Sequence, residues 1–312
     1  MIIVDEATVL RFLTPLACRE VLREAFLASG RGEVANPLRT VIKTGHGWFG
    51  SMPAAIGGRR ASLGAKLVTA YPENGVLGLP THQAVVVLLD PQTGVPKALV
   101  DADAITAIRT AAVSALAAQR LAPRVPGKLA ILGAGVQGCA HVEAFADAGL
   151  ATSVAIWSRD SERASAAAAL AHSLGLDAHT ASSPEEALRE ADLIVTATAA
   201  SDPLFAAEAA SEGAFFAAVG SCIPTRRELP TALVASAAFY ADDIAAARRE
   251  AGDLLLAEAD LDRELPIAGT LGQLLADERR PVAAAGQSVI FESLGLGLED
   301  VACAAYVLSM MG

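Results

Sequence analysis

The chain is predicted to be an α/β protein with a doubly wound parallel sheet, preceded by a smaller α+β unit with an antiparallel sheet. Three observations carry this. From Lys128 onward, apolar strand-like segments alternate with helical ones. A glycine-rich turn, Gly133-Ala-Gly135-Val-Gln-Gly138, stands between the first such strand and its helix. Before Lys128, strand-like segments follow one another through short turns.

In chain order, Thr14-Pro15 opens a helix as N-cap and first helical residue, and Gly30 is expected to end it. Strands are expected near Val34–Lys43, Arg60–Ala70, Ala84–Leu89 and Val95–Val100, the last two joined by the turn Asp90–Gly94. A helix spans Ala104–Leu121 and stops before Pro123 and Pro126. The domain boundary is placed at Ala122–Gly127, so that residues 1–121 form the first domain and 122–292 the second. The second domain reads as strand Leu129–Leu132, helix Val136–Ala148, strand Ser153–Trp157 and helix Ser161–Leu174. A capping box at Ser183-Pro-Glu-Glu186 opens another helix, and Leu193–Ala197 and Ala214–Val219 are apolar enough for central strands. The last helix, Leu298–Met311, lies beyond this pattern, and residues 293–312 are placed back on the first domain.

In that setting the glycine turn reads as a Rossmann dinucleotide fingerprint. Gly133 permits the tight turn, Gly135 lets backbone approach a pyrophosphate, and Gly138 lets helix and strand pack closely. Val136 and Gln137 open the helix, whose N-terminus offers free N–H groups to phosphate. The strand ends Thr196-Ala197-Thr198 and Val219-Gly220-Ser221 complete the cofactor-side candidates. The second strand ends in Trp157-Ser158-Arg159, with no carboxylate to take the ribose 2′-hydroxyl. Arg159 either pairs with a 2′-phosphate or is a solvated charge; the first reading makes NADPH the expected cofactor, with NADH as the alternative.

Three cations stand out in apolar surroundings. Lys66 shares a strand face with Ser62, Gly64 and Val68, small neighbours that leave a hollow for a ligand; otherwise it is an edge-strand lysine facing water. Arg109 lies on one stripe of an apolar helix with Thr106, Thr110 and Val113, and needs an anion there, from a ligand or from the protein. Arg39 is the third. If these converge, they form a carboxylate clamp. Met52 and His82 are further substrate-side candidates.

Composition sets limits. A net charge of −11 disfavours nucleic acid as a partner. The acidic start Met1–Glu6 is unlike a secretory signal, and no apolar run reaches membrane-spanning length. The four cysteines lack CxxC spacing and no histidine pair has ligand spacing, so no metal is expected and a reducing cytoplasm fits. His141 reads as structural, and the Asp242-Asp243 pair as a helix cap.

Taken together, Gly64–Asn74, Ile105–Ala112, the Gly133 turn, Ala191–Thr198, Val219–Leu229 and Phe291–Asp300 resemble the ornithine cyclodeaminase/mu-crystallin family, in the family's order and over nearly the whole chain. The resemblance implies a homodimer joined through its first domains, with the active site between domains. It implies substrate carboxylate binding by Arg39, Lys66 and Arg109, with Lys66 near the reacting carbon and nitrogen. Glu228 and Asp300 match family positions, each as a possible ion-pair or capping residue. Cyclodeaminases of the family carry an Asp where this chain has Cys222, and a thiol substitutes poorly for a carboxylate. The expectation is therefore NAD(P)H-dependent reduction of a cyclic ketimine such as pyrroline- or piperideine-2-carboxylate, with Lys66, Arg109 and Cys222 as catalytic candidates. The rivals are ornithine cyclodeaminase, an amino-acid dehydrogenase, and a non-catalytic NADPH-bound protein holding a small carboxylate.

Overall fold

The computed structural model describes residues 1–277 and 282–312. They form two compact units, Met1–Arg109 with Leu296–Gly312, and Thr110–Gly295.

The chain begins with β1 (Ile2–Val4), α1 (Glu6–Phe12), α2 (Pro15–Gly30), β2 (Val34–Ala35), β3 (Thr40–Lys43), β4 (Trp48–Ile56), β5 (Ser62–Ala70), β6 (His82–Leu89), β7 (Pro96–Asp101) and α3 (Asp103–Leu121), within which the division between units falls. There follow β8 (Gly127–Leu132), α4 (Val136–Asp147), β9 (Ala151–Trp157), α5 (Ser161–Ser173), β10 (Asp177–Thr180), α6 (Pro184–Leu188), β11 (Leu193–Thr196) and β12 (Phe215–Ala218). The chain closes with α7 (Thr231–Ser236), β13 (Ala238–Ala241), α8 (Ile244–Glu250), α9 (Gly252–Leu261), β14 (Gly269–Thr270), α10 (Leu271–Ala276), β15 (Val289–Glu292) and α11 (Gly297–Ser309).

Unit 1 is a sheet in the order β1-β7-β6-β5-β4-β2, with β3 also on β4. β4 to β7 are antiparallel, as expected, but β1 joins β7 in parallel, so the sheet is mixed. β4 was not foreseen, because Gly50 and Pro53 interrupt its pattern. The register explains the proline. β3 pairs with β4 from Trp48 to Ser51 and β2 pairs at Ala55 and Ile56, which leaves Pro53 without a strand on that side. Its missing N–H therefore breaks no ladder bond. α2 continues through Gly30, and the reversal comes at Gly32, where φ is +75°.

Strand alternation on β5 buries Ser62, Gly64, Lys66 and Val68 and leaves Leu63, Ala65 and Leu67 half-buried. α11 packs on β4, β5 and α2. The expected hollow beside Lys66 is closed there: a Cβ at Gly64 would lie 2.4 Å from the Val87 carbonyl oxygen of β6 and 3.4 Å from Val301 Cγ2 of α11. The glycine admits neighbouring backbone rather than a ligand. Gly297 does the same at the start of α11, since a Cβ there would lie 2.6 Å from the Met52 carbonyl oxygen.

Unit 2 is an eight-stranded parallel sheet, β10-β9-β8-β11-β12-β15-β13-β14. Strand order reverses between β8 and β11, which creates the crevice at the strand C-termini where doubly wound folds take ligands. β11, β12 and β15 are buried on both faces, matching their unbroken apolar runs. Asp160 caps α5 by accepting the N–H groups of Glu162 and Arg163. The expected capping box on α6 is only half formed. Ser183 accepts from Glu186 N–H, but the Glu186 carboxylate turns to the N–H and hydroxyl of Ser182 instead. Among the described residues, no helix is long and apolar enough to cross a membrane.

Candidate active site

In unit 1, Lys66 and Arg109 arrive from β5 and α3 and meet at one carboxylate. Lys66 Nζ lies 3.0 Å from Asp300 Oδ1 and 2.9 Å from Oδ2. Arg109 donates Nε to Asp300 Oδ1 at 3.3 Å and a terminal nitrogen to Glu299 Oε2 at 2.8 Å. All four residues are buried. Lys66 also donates to the Thr106 hydroxyl, one turn before Arg109 on α3, at 3.4 Å. Met52, also buried, is the β4 residue opposite Lys66. β5 is flanked by β4 and β6, which excludes the edge-strand reading of Lys66.

The anions that Lys66 and Arg109 needed are thus supplied by the protein. Asp300 had been noted, but Glu299 had not. Two adjacent acids in the first turn of a very apolar helix were the available signal, since buried carboxylates need cations. Glu299 has a second task, accepting the Leu296 N–H at 3.1 Å and so closing the start of α11. Burial pulls Lys66 down from its ordinary 10.5 to about 8, against the opposing pull of Asp300. Burial likewise pushes Glu299 up, opposed by Arg109.

His82 opens β6 at an exposed position, its Nδ1 3.6 Å from Asp103 Oδ1. Partial burial, with the Lys66 charge adding to it, lowers the imidazole pKa. Arg39 sits half-buried just before β3.

In unit 2 each glycine of the fingerprint has its own geometry. Gly133 has φ +112°, and a Cβ there would lie 2.5 Å from the Ala197 carbonyl oxygen. A Cβ on Gly138 would fall 1.9 Å from the Gly133 oxygen, so only glycine allows α4 this close. Above Gly135 there is nothing within 4 Å. Gly135 is also the N-cap of α4 and makes no side-chain cap, so the N-terminus of α4 is of the kind that takes an anionic ligand. Val136 is exposed beside it. This cradle fits a dinucleotide pyrophosphate. At the end of β9, Ser158 and Arg159 line a cavity of about 510 Å³ with Ser161, Thr180, Ser182 and Glu186.

Beyond the ends of β11 and β12 lie Ala197-Thr198 and Val219-Gly220-Ser221. Their loops are held by the buried Glu228, which accepts the N–H of Thr198 at 2.6 Å and of Gly220 at 2.9 Å. Behind it, Asp253 Oδ1 accepts the N–H groups of Glu228 and Leu229, both at 2.8 Å. The Ser221 hydroxyl donates to the buried Glu292. Asp253 and Glu292 were missed, because each sits in an otherwise ordinary helix or strand. Cys222 follows, half-buried and in no disulfide. His141 is fully buried, bonded to the Gln137 carbonyl at 2.7 Å and the Ser114 hydroxyl at 2.9 Å, and is structural. Of the aspartate pair, only Asp243 caps a helix, accepting Ala246 N–H. Asp242 instead holds Leu294 and Gly295 at the exit of β15. Among the described residues, no group of three or more His, Cys, Asp or Glu is placed to hold a metal ion.

The chain is 38% identical over 278 residues to ketimine reductase mu-crystallin of Mus musculus, covering 88% of this chain and 85% of that protein. It superposes with a TM-score of 0.92 on Delta(1)-pyrroline-2-carboxylate reductase of Thermococcus litoralis in complex with NADH and L-proline, at 28% identity, covering 100% of this chain and 98% of that one. An archaeal alanine dehydrogenase dimer with bound NAD gives a TM-score of 0.93 at 27% identity, covering 100% of this chain and 97% of that one. The family profile matches residues 1–311, and the chain belongs to the ornithine cyclodeaminase/mu-crystallin family.

Proposed function

We propose that the protein reduces a cyclic ketimine carrying a carboxylate next to the C=N bond, of the pyrroline- or piperideine-2-carboxylate class, with a nicotinamide cofactor. The observation that carries this is the meeting of Lys66 and Arg109 at a buried carboxylate, in a chain whose relatives are named imine reductases. Asp300 and Glu299 keep both cations charged in a buried place, where an isolated charge would be expelled. Lys66 and Arg109, with Arg39, orient the substrate carboxylate. Met52 and His82 bound the substrate.

Reduction adds a hydride to the imine carbon and a proton to the nitrogen. A reduced nicotinamide, when bound, supplies the hydride. The proton is held at Lys66 Nζ, whose depressed pKa of about 8 suits a donor working near neutrality. The cofactor's pyrophosphate is held by Gly133, Gly135, Val136, Gln137 and Gly138, and its nicotinamide end by Thr196 to Thr198 and Val219 to Ser221. Cys222 borders that end, and a thiol there substitutes poorly for an Asp as an acid–base group. NADPH is preferred over NADH: exposed Arg159 and the hydroxyls of Ser158 and Ser161 line one cavity, donors suited to a 2′-phosphate.

The protein works as a homodimer. Leu63, Ala65, Leu67, Val85 and Val87 stand on the sheet face opposite the one α11 covers, half-buried and apolar, and a second copy is the occupant that face suits. Four cysteines outside any disulfide suit a reducing cytoplasm. The test is consumption of NADPH and NADH, followed by absorbance, with pyrroline- and piperideine-2-carboxylate, beside ornithine deamination as control. Turnover of either imine supports the reading. Ammonia release from ornithine without imine turnover replaces it with the cyclodeaminase.

A further inference from the structure

Glu228 takes no part in the chemistry above, yet its carboxylate joins two loops at the cofactor-side strand ends. Oε1 accepts the Thr198 N–H, two residues past β11, and Oε2 accepts the Gly220 N–H, two residues past β12. The fit is close: a Cβ on Gly220 would lie 2.6 Å from the Glu228 carboxyl carbon and 2.2 Å from the Thr198 carbonyl oxygen. Both oxygens are committed as acceptors. A proton on either one would set a donor against a donor, and one of the two loops would lose its tether.

We propose that Glu228 is a positioning residue for the nicotinamide end of the cofactor, and that its ionised form is the one that holds both loops in the binding geometry. This rests on reading unit 2 as the nicotinamide-cofactor unit. Its consequence is a dinucleotide affinity that weakens as the pH falls through neutrality.

The surroundings place that transition near neutrality. Burial pushes Glu228 up to about 7, and Asp253 adds to the rise, while the Thr198 bonds oppose it. The charged groups around it are Asp253 at the start of α9, Glu292 on β15 and the adjacent Arg227. Arg227 is turned to Asp260 and Thr231. Of the surrounding groups, Asp253 favours the protonated form of Glu228.

The experiment compares the full-length protein with E228Q, using NADH and NADPH as probes and fluorescence titration on both sides of neutrality. The amide keeps one acceptor and turns a donor toward the second N–H, so it imitates the protonated state at every pH. The variant-to-wild-type ratio of Kd cancels titration of the cofactor's own phosphate. The ratio is expected to be about tenfold above neutrality, the loss of one hydrogen bond to a charged group, and to fall toward one below it. A ratio that stays constant across pH overturns the proposal and leaves Glu228 a purely structural residue. If E228Q does not fold, wild-type amide resonances of Thr198 and Gly220 give the same reading. A shared midpoint near neutrality supports the proposal, and two flat profiles overturn it. A wild-type protein that binds neither dinucleotide overturns the proposed function itself, which a constant ratio does not.

Discussion

Asp300 presents both carboxylate oxygens to the Lys66 ammonium, at 3.0 and 2.9 Å, in a setting where neither side chain reaches water. Burial favours the neutral amine and Asp300 favours the cation, and the balance leaves Lys66 at about 8. As a proton donor, Lys66 works below that value, so kcat/KM falls as the pH rises through about 8. D300N removes the main group that raises the Lys66 pKa, and the alkaline limb moves to lower pH. A pH–rate profile of the two proteins checks this. An unmoved limb would assign it to another group.

K66M removes the donor and is expected to lower kcat by roughly 10² to 10⁴. NADPH affinity stays at the wild-type value, because the pyrophosphate cradle and the loops past β11 and β12 are built from unit 2. Single-turnover kinetics beside cofactor titration separate the two effects. Full activity in K66M would remove Lys66 from the chemistry.

Gly135 and Gly138 predict opposite outcomes for one substitution. G135A adds a methyl where nothing lies within 4 Å, so thermal stability holds while dinucleotide affinity falls. G138A drives a methyl to 1.9 Å from the Gly133 oxygen, and overpacking of that kind costs about 1–3 kcal/mol. Thermal melts with and without NADPH distinguish them. A destabilised G135A would contradict the open space above that residue.

R159A is expected to weaken NADPH by roughly tenfold or more, the worth of a hydrogen bond to a charged group, and to leave NADH nearly unchanged. Paired Kd measurements decide it. Equal losses for the two cofactors would make Arg159 an ordinary surface charge.

His141 is held neutral, its pKa lowered by burial from 6.5 to about 4. An unfolded chain takes up a proton near 6.5, so the contribution of His141 is fully present above that pH and is lost as pH falls toward about 4. The loss amounts to on the order of 3 kcal/mol. Urea midpoints measured at neutral and acid pH should show it, and H141Q should flatten that part of the dependence.

The parallel unit was the more legible of the two. Its strands are short apolar runs bounded by glycine and caps, so period and punctuation agree at Gly133, Asp160 and Gly149. β4 was hidden because Gly50 and Pro53 break its alternation, and only the register of two short flanking strands makes that harmless. At the site, the sequence exposed Lys66 and Arg109 as charges in apolar company. It did not reveal what met them, because Glu299 and Asp300 lie far along the chain and look like ordinary first-turn acids. Gly64 was misjudged for a related reason. A residue without a side chain marks space, and sequence cannot say whether a ligand or neighbouring backbone, here the Val87 carbonyl, occupies it.

The separation of Lys66 and Asp300 by 234 positions also imposes an order on synthesis. A ribosome releases both buried cations long before the acids that neutralise them, whereas Thr110–Gly295 leaves it as one uninterrupted stretch. The middle of the protein can therefore mature first, and the flanking unit stays unfinished until α11 has been made. A nascent chain stalled before α11 carries an open sheet with two stranded charges, a species for chaperones to shelter.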